Sequence, residues 1–275
     1  MFQFKKIPKE ENFDVERQKL INLVLGAYRS IRYDVAYVSM PITSGKLMYD
    51  VFEKKGVKTL EELGKVDSDS IVNDIIKPNI DMGVIAADNL NSKLPPLAPS
   101  VFEGKSFRWT QEEYMTMWLT VIKERAREMH MTDGWEYSNG GVEEITLAHQ
   151  MRYRCVGLIN GEESLDKIFP GLGEQETRDF IEDMARMRVY DINKNELSLD
   201  DSILKVREAI QDLQERGFES KRLEISLNNL TGTKEKFCGF GVDRHEYLYH
   251  TNGPEAVKHY IEDRDSARKK YNLGI

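Results

Sequence analysis

Cysteine is scarce in this chain: 275 residues hold two, Cys155 and Cys238. Neither lies in a CxxC pair or a Cys/His cluster, so no zinc motif is present. Two distant cysteines make no disulfide framework, which points to a reducing compartment. Long hydrophobic runs are missing too, and no stretch approaches the roughly 20 apolar residues that cross a bilayer. The segment Met1 to Asn12 is polar and lysine-rich, without the apolar heart of a signal peptide. Together these absences predict a cytoplasmic protein with no membrane partner. Positive charge is in deficit: 39 Lys and Arg stand against 47 Asp and Glu, a net charge of −8. Binding to a nucleic-acid backbone needs the opposite surplus, so that class of partner is excluded. A small anionic ligand, which needs only a local pocket, is not. Repeats and low-complexity segments are absent as well.

What remains is ordinary globular material, 40% hydrophobic and 31% charged. Apolar spacing predicts a helix over 13–32 and a buried strand over 33–40, rich in β-branched and aromatic residues. A loop of small residues, Pro41 to Lys46, leads into a helix over 47–55. Residues 59–76 read as helical, with Asp67 or Ser68 as N-cap. Met82 to Ala87 reads as a second strand, and Asn89 to Pro99, with three prolines, as a rigid loop. Thr110-Gln111-Glu112-Glu113 fits a capping box at the head of a long helix. Met129 to Thr132 reads as a short strand. A further helix runs to about Tyr153, and Cys155 to Ile159 reads as another strand. Beyond Gly161 the texture becomes acidic and mixed, with a clear amphipathic helix over Asp200 to Arg216. Leu223 to Leu227 alternates like a strand, Phe237 to Tyr249 is rich in glycine and aromatics, and a charged helix is expected over Pro254 to Tyr271. These patterns predict an α/β fold, a Rossmann-like parallel sheet with flanking helices over residues 1–160. An α+β extension follows over 161–275.

Ligands in such folds sit outside the carboxyl ends of the strands. Two stretches fall there. The first is the loop after the first strand, where Ser39, Thr43 and Ser44 offer hydroxyls, Gly45 allows close approach and Lys46 brings charge. It is neither a Walker A loop nor a GxGxxG turn, and a tight strand-to-helix connection explains it equally well. The second is Trp135-Glu136-Tyr137-Ser138-Asn139-Gly140-Gly141-Val142-Glu143-Glu144-Ile145. Here a serine and a glycine pair open a helix whose first turns carry two carboxylates. Unpaired N–H groups at a helix start attract anions, so Ser138, Gly140 and Gly141 suit an anionic ligand. A plain helix cap with favourable early acids is the competing account.

These residues also carry a resemblance. Tyr37-Val38-Ser39-Met40-Pro41-Ile42-Thr43-Ser44-Gly45 resembles the opening motif of the nucleoside 2-deoxyribosyltransferase-like superfamily. Gly134-Trp135-Glu136-Tyr137-Ser138, with Gly140, Glu144 and Ala148 behind it, resembles that superfamily's second motif, particularly in its small phage and bacterial branch. The likeness spans roughly residues 33–160. It implies that Glu144 is the nucleophile at the anomeric carbon of an N-glycosidic bond, and that Ser138 contacts a 5′-phosphate. Ser39, Ile42, Thr43, Ser44, Gly45 and Lys46 would surround the substrate, and Tyr37 either lines the pocket or packs in the core. The implied activity is hydrolysis of a nucleoside 5′-monophosphate, and no metal or organic cofactor is expected, because a carboxylate nucleophile and a phosphate pocket suffice. A nucleotide sensor without turnover and a base-exchanging deoxyribosyltransferase are the alternatives. Relatives complete their sites across an interface, so a homodimer or larger homo-oligomer is expected. The chain departs from the pattern at Met40, where many relatives have glycine, and at Thr116, where they carry an aspartate. Glu112 and Glu113 are the nearest substitutes for that second carboxylate. Trp109 is placed either to stack on a base or to cover the proline-rich loop. His130 and His149 are candidate proton donors, or structural histidines.

Overall fold

The computed structural model describes residues 11–30, 34–99, 110–159 and 187–238. Helix α1 (Glu11–Arg29) buries Ile21, Leu25 and Tyr28, spaced to share one face. Strand β1 (Val35–Ser39) is buried along its whole length. It delivers the chain through Gly45 into α2 (Lys46–Lys55), which Gly56 ends in the left-handed conformation at φ 67°. Thr59 caps α3 (Leu60–Val66) and Asp67 caps α4 (Ser68–Ser70). The helical path continues through a π-helical segment, Ile71–Ile76, into α5 (Lys77–Asp88). Pro78 is the second residue of α5, one position past the first residue after the π segment. Its missing N–H breaks the α ladder there, which is where a wider turn is tolerated.

Strand β2 (Pro96–Leu97) leads by way of residues 100–109, outside the described residues, to α6 (Gln111–Arg125). The expected capping box is present at Thr110 and Glu113. Strand β3 (Ala126–Met131) follows, then a single 3₁₀ turn (Trp135–Tyr137) and α7 (Asn139–Ile159). Past residue 187 come β4 (Arg188–Tyr190), α8 (Leu199–Glu215) and α9 (Lys221–Cys238).

The four strands run parallel in the order β2-β1-β3-β4. This is an α/β sheet flanked by helices, as the sequence predicts. Order reverses between β1 and β3, so the switch point of the sheet lies between their carboxyl ends, at Ser39 and Met131. Tyr37, Met129 and Met131 face the main core, together with Trp118, Ile122 and Ile145. Val38 and Met40 face the other way, against Ala86, Ala87 and Leu90 around α5.

Three expected strands are helical instead. Met82–Ala87 is the end of α5, where Gly83 packs on Met40 and Ile85 lies exposed. Cys155–Ile159 is the last stretch of α7. Leu223–Leu227 is part of α9, where Leu223, Ser226, Leu230 and Thr233 are buried at helical spacing while Ile225 is 55% exposed. A short apolar run fits either period, and packing decided each case. The sheet also crosses the boundary expected near 161, since β4 lies beyond it and α8 and α9 pack against α7. The expectations for residues 239–275 lie outside the described residues.

Candidate active site

The site is built where the two predicted stretches meet. Ser39 closes β1, and its carbonyl accepts the N–H of Thr132, 2.9 Å away, at the end of β3. Glu144, in the second turn of α7, reaches back over the strand ends with only 6% of its surface exposed. Tyr37 donates its hydroxyl to Glu144 Oε1 at 2.7 Å, and Ser39 donates Oγ to Oε2 at 2.5 Å. Both donors are wholly buried. The β-strand period of two puts Tyr37 and Ser39 on one face, and that face is the one α7 covers.

Burial pushes the Glu144 carboxyl up to about 7, against the pull of the Ser39 and Tyr37 hydroxyls, with a smaller push from Glu143. The Tyr37 hydroxyl is held well above its ordinary range by burial and by the Glu144 charge, so it stays a donor. A carboxylate poised near neutrality, dry, and gripped by two oriented donors can act as nucleophile or as acid and base. Glu143 points outward, exposed.

The second feature joins the two loops. Ser44 Oγ and Ser138 Oγ lie 2.8 Å apart, and Ser138 Oγ also accepts the N–H of Gly141 at 3.3 Å. Ser138 is therefore the cap of α7 and, at the same time, one of two converging hydroxyls. Gly45 holds φ 83°, and a β-carbon there would sit 2.6 Å from Pro41 Cβ. Gly134, at φ 76°, brings its backbone against Lys46. Gly141 has a packing reason of its own, since a β-carbon would lie 2.8 Å from the Trp135 carbonyl. Gly140 stands beside it in the first turn of α7. Thr43 on the loop and Lys46 at the head of α2 are exposed, and Ile42 is half-buried. Trp109 lies outside the described residues.

Sequence reasoning missed the brace behind the first loop. Asn79, 1% exposed on α5, donates its side-chain amide to the carbonyls of Ile42 at 3.0 Å and Ser44 at 3.2 Å. Nothing near Asn79 in sequence marks it, because the α5 that carries it reads as part strand. Met40 does not narrow the loop: its sulfur lies under Gly83, on the far face of the sheet.

Neither histidine joins the site. His130 stacks on Tyr190 at 4.9 Å and bonds Glu128 on the opposite face of the sheet. His149 is buried against Ser202 Oγ at 2.9 Å, and burial drives its pKa down to about 4. Thr116 is exposed, and the Glu113 carboxylate is bound to the Thr110 N–H as half of the capping box. Among the described residues no group of acids, histidines and cysteines could hold a metal ion, and no helix is long and apolar enough to cross a membrane.

The C-terminal segment buttresses this arrangement. Tyr137, just before Ser138, bonds Asp212 of α8. Asp212 is paired with Arg216 at 3.1 Å, and Arg216 reaches Asp50 of α2 at 2.8 Å. Both site loops are thus tied to α8. Comparisons with protein-family models, with characterised proteins and with solved structures return no match to the chain.

Proposed function

We propose that the chain hydrolyses the N-glycosidic bond of a nucleoside 5′-monophosphate, with Glu144 as nucleophile. The observation that carries the reading is the buried Glu144 carboxylate gripped by Tyr37 and Ser39 at the switch point of the sheet. In the first step a Glu144 oxygen attacks the anomeric carbon. The carbon–nitrogen bond breaks, its electron pair leaves with the base, and a glycosyl ester remains. A water oxygen then attacks the same carbon. The ester carbon–oxygen bond breaks, Glu144 is restored as a carboxylate, and the proton lost by water balances the one taken up by the base.

Tyr37 and Ser39 orient the carboxylate and stabilise its charge before attack. The Ser44 and Ser138 hydroxyls, with the N–H groups opening α7, suit the 5′-phosphate. The resemblance to nucleoside 2-deoxyribosyltransferase-like proteins supports the same roles, and with them a homo-oligomer and a small nucleotide as the only ligand. A nucleotide-binding module without turnover is the second reading, because an exposed Thr116 stands where the resemblance calls for a second carboxylate.

The test is incubation with nucleosides and their 5′-monophosphates, read by free base. Release from a monophosphate, lost in Glu144→Ala, supports hydrolysis. Equal release by Glu144→Ala refutes the nucleophile. Release that requires an added acceptor base identifies a transferase, and tight binding without release identifies a sensor.

A further inference from the structure

A groove of about 750 Å³ opens on the α5 face of the sheet, and it takes in neither Glu144 nor Ser138. Its volume lies within the range of small-ligand sites. His130 and Thr132, at the end of β3, form part of its lining. Thr132 is 1% exposed, yet its hydroxyl has no hydrogen-bond partner. An orphaned buried hydroxyl costs free energy unless something meets it. Aliphatic side chains stand open at the groove: Ile85 of α5 is 60% exposed and Ile192, just past β4, is 47% exposed.

Charge argues about the occupant. Lys77 and Lys194 are balanced there by Asp81 and Asp191. A near-neutral slot with aliphatic walls and a waiting hydroxyl suits a flat neutral ring better than a phosphate. Position argues further. The Thr132 N–H is bonded to the Ser39 carbonyl, so the groove abuts the strand end that carries Ser39, whose hydroxyl holds Glu144 of α7. Glu144 approaches that edge from the α7 face and the groove from the α5 face. A glycosidic bond lying over the edge would present its anomeric carbon to one and its base to the other.

We infer that this groove is the nucleobase subsite, with Thr132 hydrogen-bonding the base edge and Ile85 covering the ring. The inference rests on the N-glycosidase reading for its link to Glu144, but base binding tests it separately. Ile85→Trp fills the groove from an exposed position, and Thr132→Val removes only the hydroxyl. The full-length chain is titrated calorimetrically with free adenine, guanine, cytosine and uracil, and KM is measured for any nucleotide that is cleaved. The expected result is binding of at least one base, about tenfold weaker in Thr132→Val, as fits the loss of one hydrogen bond. Ile85→Trp should abolish binding and raise KM at least tenfold, while inhibition by the product sugar phosphate stays unchanged. Unaltered base affinity and KM in Ile85→Trp overturn the groove and leave the hydrolase standing. Absence of cleavage, with base binding still lost in Ile85→Trp, overturns the hydrolase and leaves the groove. No base binding to the parent protein overturns the subsite outright.

Discussion

Replacing Tyr37 with phenylalanine removes one oxygen and little else. The ring stays in the core against Trp118, whose centroid lies 6.1 Å away, and Glu144 loses the 2.7 Å bond to Oε1. A hydrogen bond to a charged group contributes about 1.5–3 kcal/mol. Glu144 is buried, so no water replaces the lost donor. The donor favours the ionised carboxylate, so its removal raises a pKa that already stands near 7. At 1.36 kcal/mol per unit, the rise is about one to two units. The nucleophile must be ionised, so base release by the parent should climb with pH and level off above about 7. In Tyr37→Phe the midpoint should move up by that amount, with activity at pH 7 reduced roughly five- to fiftyfold. Part of the loss should return at pH 9. The assay is a pH profile of kcat/KM for base release, with circular dichroism to verify the fold. Superimposable profiles for parent and variant would refute the account of how Glu144 is tuned.

Asn79→Ala leaves two loop carbonyls without their donor and should cost about 1–3 kcal/mol of stability. Because Asn79 braces the Ser44 loop and not Glu144, KM for the nucleotide should rise more than kcat falls, which steady-state kinetics would show. Gly45→Ala places a β-carbon against Pro41 at positive φ, and should lower the thermal midpoint by several degrees, read by calorimetry. The buried neutral His149, with a folded pKa lowered from 6.5 to about 4, contributes stability that is present above pH 6.5 and lost as pH falls toward 4. His149→Gln should therefore flatten the acid side of the stability curve, by up to about 3 kcal/mol between those limits, measured by urea titration at a series of pH values.

The fold class and the two stretches that meet at the candidate site were legible because both rest on local pattern. Five buried residues in a row fixed β1, and capping chemistry fixed the start of α6. Tyr37 and Ser39 meet Glu144, and Ser44 meets Ser138, because strand ends converge in this architecture. What stayed hidden depends on packing between distant elements. The end of α5 looks like a strand because its Val84 and Ile85 are exposed, so no amphipathic stripe marks it as a helix. With α5 misread, Asn79 and the groove had no place. β4 is three residues long, too short for any period to declare itself, and it moves the edge of the sheet past residue 161. The Tyr137–Asp212–Arg216–Asp50 chain joins residues far apart in sequence, and no spacing rule anticipates it.

The most direct measurement is the mass of the intact protein after rapid acid quench during turnover of a nucleoside 5′-monophosphate. A covalent glycosyl ester should add the mass of one sugar phosphate, and peptide mapping should place it on Glu144. Glu144→Gln should show no adduct and no base release. Turnover without an adduct on Glu144, or undiminished turnover by Glu144→Gln, would contradict the nucleophilic role assigned to that residue.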